Sequence, residues 1–201
     1  MSDLYDFEIF KNNKTSLKET SKDNHDGTDI FMTESTLSVV NFDAVKNDYI
    51  KGLQVTETPA SNDALYLDDF GEYYFIEFKN GVIDKAKIFA IRLKIFDSLL
   101  IFTDIIGRGV SYTRNNLSYI LVYNEGKNLP DNVEGDIQVS PSREAIAKIL
   151  LNVKQRKCIY ALICKDLKNC ISRMFILLLK KILSPNSYQN FLHNYIFKES
   201  H

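Results

Sequence analysis

Residues 61–81 read SNDALYLDDFGEYYFIEFKNG. Two apolar, aromatic-rich runs flank Asp69-Phe70-Gly71, the pattern of a β-hairpin with a short Gly-containing loop. Strand side chains alternate, so Tyr74, Ile76 and Phe78 share one face, and Tyr73, Phe75, Glu77 and Lys79 share the other. The even face reads as core. The odd face is aromatic at its start and charged at its end. A three-residue loop with Gly71 in the left-handed position pairs Asp68 with Glu72, Leu67 with Tyr73, Leu65 with Phe75 and Asp63 with Glu77. A five-residue loop keeps these partners. A four-residue loop pairs Asp63 with Ile76 and sends its carboxylate to the opposite face.

With Asp63 opposite Glu77, two carboxylates and the Lys79 ammonium share one face. Directly opposed carboxylates repel, by roughly 0.2–1 kcal/mol when solvated and more when buried. A divalent cation removes that repulsion. Magnesium takes oxygen ligands and retains several waters, so two carboxylates and a backbone carbonyl suffice. Lys79 is then placed to orient or deprotonate a water or to hold a phosphate oxygen. The competing reading is a solvated strand face with a cross-strand salt bridge. Two features weigh against it: the strand is too apolar for a simple edge, and the helix that follows is too apolar to stand in solvent.

These residues resemble the PD-(D/E)XK nuclease-like superfamily, in which an Asp on one strand is followed, after a variable gap, by (D/E)-x-K on the next strand and then a helix. Asp63 matches the Asp, and Glu77-Phe78-Lys79 matches the E-x-K. The run FIEFKNG, followed by KIFDSLL, is similar to bacterial and prophage members of the group in particular. The resemblance covers about residues 35–125. It implies a restriction-endonuclease-like core and hydrolysis of phosphodiester bonds in DNA or RNA. It also implies Mg2+ or Mn2+ held by Asp63, Glu77 and the Phe78 carbonyl, with Lys79 serving the attacking water. A catalytically degenerate copy acting as a binding or regulatory module is the alternative. Asn62 stands where the family often has Pro, and the Gln-x-x-x-Tyr element of the exonuclease branch is absent after Lys79. For a third acidic ligand Glu34, Asp43, Asp48 and Glu57 compete, and Glu34 is the choice taken. Lys87 and Lys94, beside Lys85 and Arg92, form the nearest basic cluster for a nucleic acid, with a solvated helix face as the alternative.

Outward from the hairpin, Val82–Ile106 reads as a long helix. Ile88, Ile91, Ile95, Leu99, Phe102 and Ile106 mark one stripe. Phe89, Leu93, Phe96 and Leu100 widen it and predict burial on more than one side. Lys87, Lys94, Asp97 and Asp104 line the remaining polar side. Gly107 and Gly109 end the helix, and Leu117–Tyr123 reads as a central strand. Residues 4–10 alternate weakly, as a short strand does. Residues 11–29 are polar and read as a long loop or insert. Residues 41–53 have helical spacing, stopped by Gly52. Further on, 140–153 reads as a helix, 158–164 as a strand, 171–183 as strand or helix, and 187–197 as a final helix. The expectation is one α/β (α+β) domain over 1–201, a mixed sheet flanked by helices with an α/β extension at about 140–201.

The chain has 201 residues, 45% hydrophobic and 25% charged, with net charge -1. That balance supports a core without staples and gives no bulk electrostatic signature of nucleic-acid binding. Cys158, Cys164 and Cys170 are odd in number and lack C-x-x-C spacing, so reduced thiols of a cytoplasmic protein fit better than disulfides or zinc. His25, His193 and His201 are scattered and read as non-ligands. No signal peptide is read at the N-terminus, and Met174–Leu179 is too short to span a bilayer, so no membrane partner is expected. Oligomeric state stays open, a dimer included.

Overall fold

In a computed structural model of the chain the described residues are 4–25, 28–128 and 158–162. The chain divides into two units, Met1–Cys164 and Lys165–His201. The second unit, and the expected helices at 140–153 and 187–197, lie outside the described residues.

Where alternation over residues 4–10 suggests a strand, the described residues begin helically. A 3-10 turn at Leu4–Asp6 leads into helix α1, Glu8–Asn12. Leu4, Phe7 and Phe10 recur every third residue, and Leu4 and Phe10 are buried, so they serve one helical face rather than a pleat. The polar stretch expected as a loop is also ordered. It forms β1 (Lys14–Ser16), α2 (Leu17–Thr20), β2 (Lys22–His25) and β3 (Thr28–Phe31). Ser16 caps α2, accepting from the Glu19 N–H at 3.3 Å. Leu17 anchors the segment with no exposure, and Lys22 pairs with Asp29 across the β2–β3 hairpin at 2.7 Å. A single buried leucine and local capping order a stretch whose composition alone resembles a loop.

Strand β4 is Ser38–Asn41, and α3 is Phe42–Tyr49. The Asn41 side chain caps α3 by accepting from the Ala44 N–H at 3.0 Å. β5 (Ala64–Leu67) and β6 (Tyr73–Lys79) form the hairpin. Their register pairs Leu67 with Tyr73 and Leu65 with Phe75, the pairing that a three-residue loop requires. Gly71 has φ 85°. The Asp68 N–H donates to the Glu72 carbonyl at 3.0 Å, and the Gly71 N–H to the Asp68 carbonyl at 3.1 Å.

Helix α4, Lys85–Ile105, follows. Asp84 caps it, accepting from the Lys87 N–H at 2.8 Å. It ends in a Schellman motif. Gly107, at φ 62°, donates to the Asp104 carbonyl, and Arg108 to that of Thr103. A short α5 (Val110–Asn116), not foreseen from the sequence, enters β7 (Leu117–Tyr123); the described part ends with β8 (Cys158–Leu162).

The main sheet has the order β1-β4-β5-β6-β7-β8, and β2-β3 form a separate pair. β6 and β7 are parallel and are joined across α4; the other neighbours are antiparallel. The fold is therefore a mixed α+β sheet flanked by helices. The even face of β6 packs with Leu17, Met32, Val39 and Ile120. The odd face meets an aromatic block: Phe42 and Phe75 rings lie 4.9 Å apart, Phe75 and Phe102 5.8 Å, and Tyr73 and Phe102 5.0 Å.

One expectation for α4 is reversed. Ile88, Ile91, Leu99 and Phe102 are buried as the stripe predicts, but Phe89, Leu93 and Leu100 are exposed at 62%, 42% and 59%. The residues turned inward between the buried apolar ones are polar, Lys94, Asp97 and Ser98, because they bond the segment that carries Asp63.

Replacing Gly71 by Ala forces a side chain into the left-handed region and should cost about 1–2 kcal/mol. Urea unfolding is expected to show a lower midpoint with an unchanged slope. An unaltered midpoint would mean that the loop does not set the register.

Candidate active site

Extending the β5–β6 register by one residue sets Asp63 opposite Glu77. Asp63 is held at three points. Its carbonyl accepts from the Phe42 N–H at 3.1 Å. Its Oδ2 accepts from the Phe78 N–H at 2.6 Å. The N–H of the preceding residue, Asn62, donates to Ser98 Oγ on α4 at 2.8 Å. One more bond fastens the connector to the same helix, the Ala60 N–H donating to Asp97 Oδ2, and another ties the end of α3 to it, the Tyr49 hydroxyl donating to Asp104 Oδ2, each at 2.8 Å. The polar residues of α4 thus hold the backbone that delivers Asp63.

Glu77 has no exposure, and both Lys79 and Lys94 place their ammonium groups on its Oε1. Lys94 lies 2.6 Å from Glu77 Oε1 and 3.4 Å from Asp63 Oδ1. Glu77 Oε2 is buried with no hydrogen-bond partner, and so are the Tyr119 hydroxyl and both polar atoms of the Asn62 side chain. The site is open at its rim: the side chains of Asp63, Lys94 and Lys79 are 17%, 24% and 26% exposed.

Burial, and then the charge of Glu77, push the Asp63 carboxyl up to about 7, against the pull of Lys94, Lys79 and the Phe78 N–H. Burial alone would lower Lys94, but the Asp63 and Glu77 carboxylates outweigh it and hold the ammonium above its ordinary value. Burial and the same two carboxylates push the Tyr119 phenol well up.

The structure brings Asp63, Glu77 and Lys79 together. The N–H and C=O of one residue in a strand point to the same side. The Phe78 carbonyl therefore lies on the strand edge that faces Asp63. Glu34 is not gathered in; it pairs with Lys18 at 2.9 Å, because the ordered 14–31 segment supplies that partner. Of the other acidic candidates, Asp48 pairs with Lys51 and Asn13, whereas Asp43 accepts from Ser61 Oγ and its charge reaches Lys94. Among the described residues no three His, Cys, Asp or Glu side chains form a ready metal cluster. Lys87 is exposed and donates to the Val82 carbonyl at 2.5 Å. Lys94, grouped with it by sequence as a nucleic-acid contact, instead turns into the carboxylate pair. The available signal was Lys94, Asp97 and Ser98 at helical spacing on an otherwise apolar helix. A polar line there faces either solvent or a buried polar site.

No family model, no curated protein and no solved structure matches the chain.

The raised Asp63 carboxyl carries a sign. Between about pH 4 and 7 the folded state keeps a proton that the unfolded chain has lost, so this group's contribution to stability falls as pH rises through that window. In the presence of chelator, Asp63→Asn should raise the melting temperature at pH 8 by about 2–6 °C. The gain should vanish towards pH 4. Equal effects at both pH values would refute the assignment.

Proposed function

We propose that the protein is a metal-dependent nuclease that hydrolyses phosphodiester bonds in DNA or RNA. The observation that carries this reading is the convergence of Asp63 and Glu77 across the β5–β6 hairpin, with Lys79 beside them. The donor set fits a hard divalent cation. Glu77 Oε2 is a buried oxygen without a partner, Asp63 and Glu77 repel, and the Phe78 carbonyl shares the strand edge that faces Asp63. Among the described residues no third acidic side chain joins Asp63 and Glu77 as a ready ligand, so water would complete the ion's coordination. Mg2+ or Mn2+ supplies Lewis-acid stabilisation of the phosphate and a more acidic water.

The chain's own residues do the rest. Asp63 is held rigidly through Phe42, Phe78 and Ser98, which fixes the approach of Oδ1, the oxygen that faces Lys94. Lys79, at the partly open rim, orients the attacking water or a phosphate oxygen and takes part in its proton transfer. Lys85, Lys87 and Arg92 are exposed on the first half of α4 and offer a local attraction for a phosphate backbone. Among the described residues no helix is long and apolar enough to cross a membrane.

The complete burial of Glu77 under two ammonium groups favours a second reading, a closed charge cluster in a non-catalytic binding module. Incubation of mixed DNA and RNA substrates with Mn2+ separates the two. Cleavage is expected, lost with chelator and reduced at least about hundredfold by Asp63→Ala, Glu77→Ala or Lys79→Ala. Cleavage that survives these substitutions, or none with any substrate and metal, would overturn the nuclease reading.

A further inference from the structure

We propose that Lys94 is a displaceable counter-ion: its ammonium stands between Asp63 and Glu77 where a shared divalent cation would sit, and metal enters only as Lys94 leaves. This inference rests on the metal site of the nuclease reading and adds a residue that controls its occupancy.

Geometry separates the two lysines. Lys79 ion-pairs with Glu77, its neighbour on the same strand face. Lys94 comes from the opposite layer and bridges both carboxylates, 2.6 Å from Glu77 Oε1 and 3.4 Å from Asp63 Oδ1. A cation that both carboxylates share meets Lys94 first.

Charge points the same way. With Asp63 ionised, two carboxylates and two ammonium groups cancel. Adding a divalent ion without displacement leaves two uncompensated positive charges in a space that already excludes water from Glu77. Like charges at such separations interact strongly at reduced dielectric. Withdrawing one ammonium relieves both the repulsion and the crowding at Glu77 Oε1. The side chain is built for this movement, with a flexible four-carbon stem and 24% of its surface exposed, against 0% for Glu77. Asp43, whose charge already acts on Lys94, is exposed on α3 and can receive the displaced ammonium.

A lysine that merely props the site open and a lysine that competes with metal differ in sign. Loss of a prop weakens metal binding. Loss of a competitor tightens it, although the metal-free protein becomes less stable because the two carboxylates lose the cation they share.

The test is Mn2+ titration of the full chain at pH 8, followed by calorimetry and by thermal unfolding, for wild type, Lys94→Gln and Lys94→Arg. Lys94→Gln is expected to bind Mn2+ at least tenfold more tightly and to melt lower without metal. It should also gain more melting temperature from Mn2+ than wild type does. Lys94→Arg, with a stronger fork-like clamp on carboxylates, is expected to bind Mn2+ more weakly than wild type. Binding by Lys94→Gln alone, or a metal-free Lys94→Gln that folds only when Mn2+ is added, supports the inference. Wild-type binding with equal or weaker binding by Lys94→Gln, or a Lys94→Gln chain that Mn2+ does not restore, overturns it while leaving the metal site standing. No binding by any of the three overturns both.

Discussion

A carboxylate with no exposure to water requires cations within contact distance, and Glu77 draws in two. This requirement organises the half of the molecule around the hairpin. Lys79 is supplied from the same strand face, two residues on. Lys94 must come from across the layer, so α4 lies over the end of β6 with a polar line turned inward. Removing one partner from such a cluster is costlier than the pair is worth, because the remaining charge stays buried. The cluster therefore acts as a constraint on where α4 sits more than as a source of stability.

The inward polar line explains two further features. Asp97, Ser98 and Asp104 bond the connector after α3 and its neighbours, and so fix Asp63. Phe89, Leu93 and Leu100, displaced from the interior by that arrangement, are left on the outer side. A helix rich in apolar residues all round is usually buried all round. Here a polar site beneath it competes for the inner face and takes part of it. Packing on the sheet is secured instead by Phe102, Leu99 and Ile91, with Phe102 seated among Phe10, Tyr73 and Phe75.

Much of the hairpin was legible because local rules dominate there. A glycine at the left-handed loop position and strict alternation favour the register that sets Asp63 opposite Glu77 over the one that a four-residue loop would give. Helix stops at Gly52 and Gly107, and the continuous apolar run of β7, were legible for the same reason. The region before residue 32 was not. Its polar composition reads as a loop, yet Leu17 docks on the even-face core and the β2–β3 strands pair with each other. Tertiary anchoring overrode composition there.

The sequence by itself determined that Glu77 and Lys79 would share one face, since the pleat alternates residue by residue, and the observed loop register then brings Asp63 to that face. It also determined the mixed α+β character, through the order and period of its elements. Only the tertiary structure decided that Lys94 joins them, that Glu34 does not, and that Asp43 is the nearby acid. Those outcomes depend on how α3 and α4 pack on the sheet. Helical spacing says which side chains share a side, but only the packed neighbours say which side faces in.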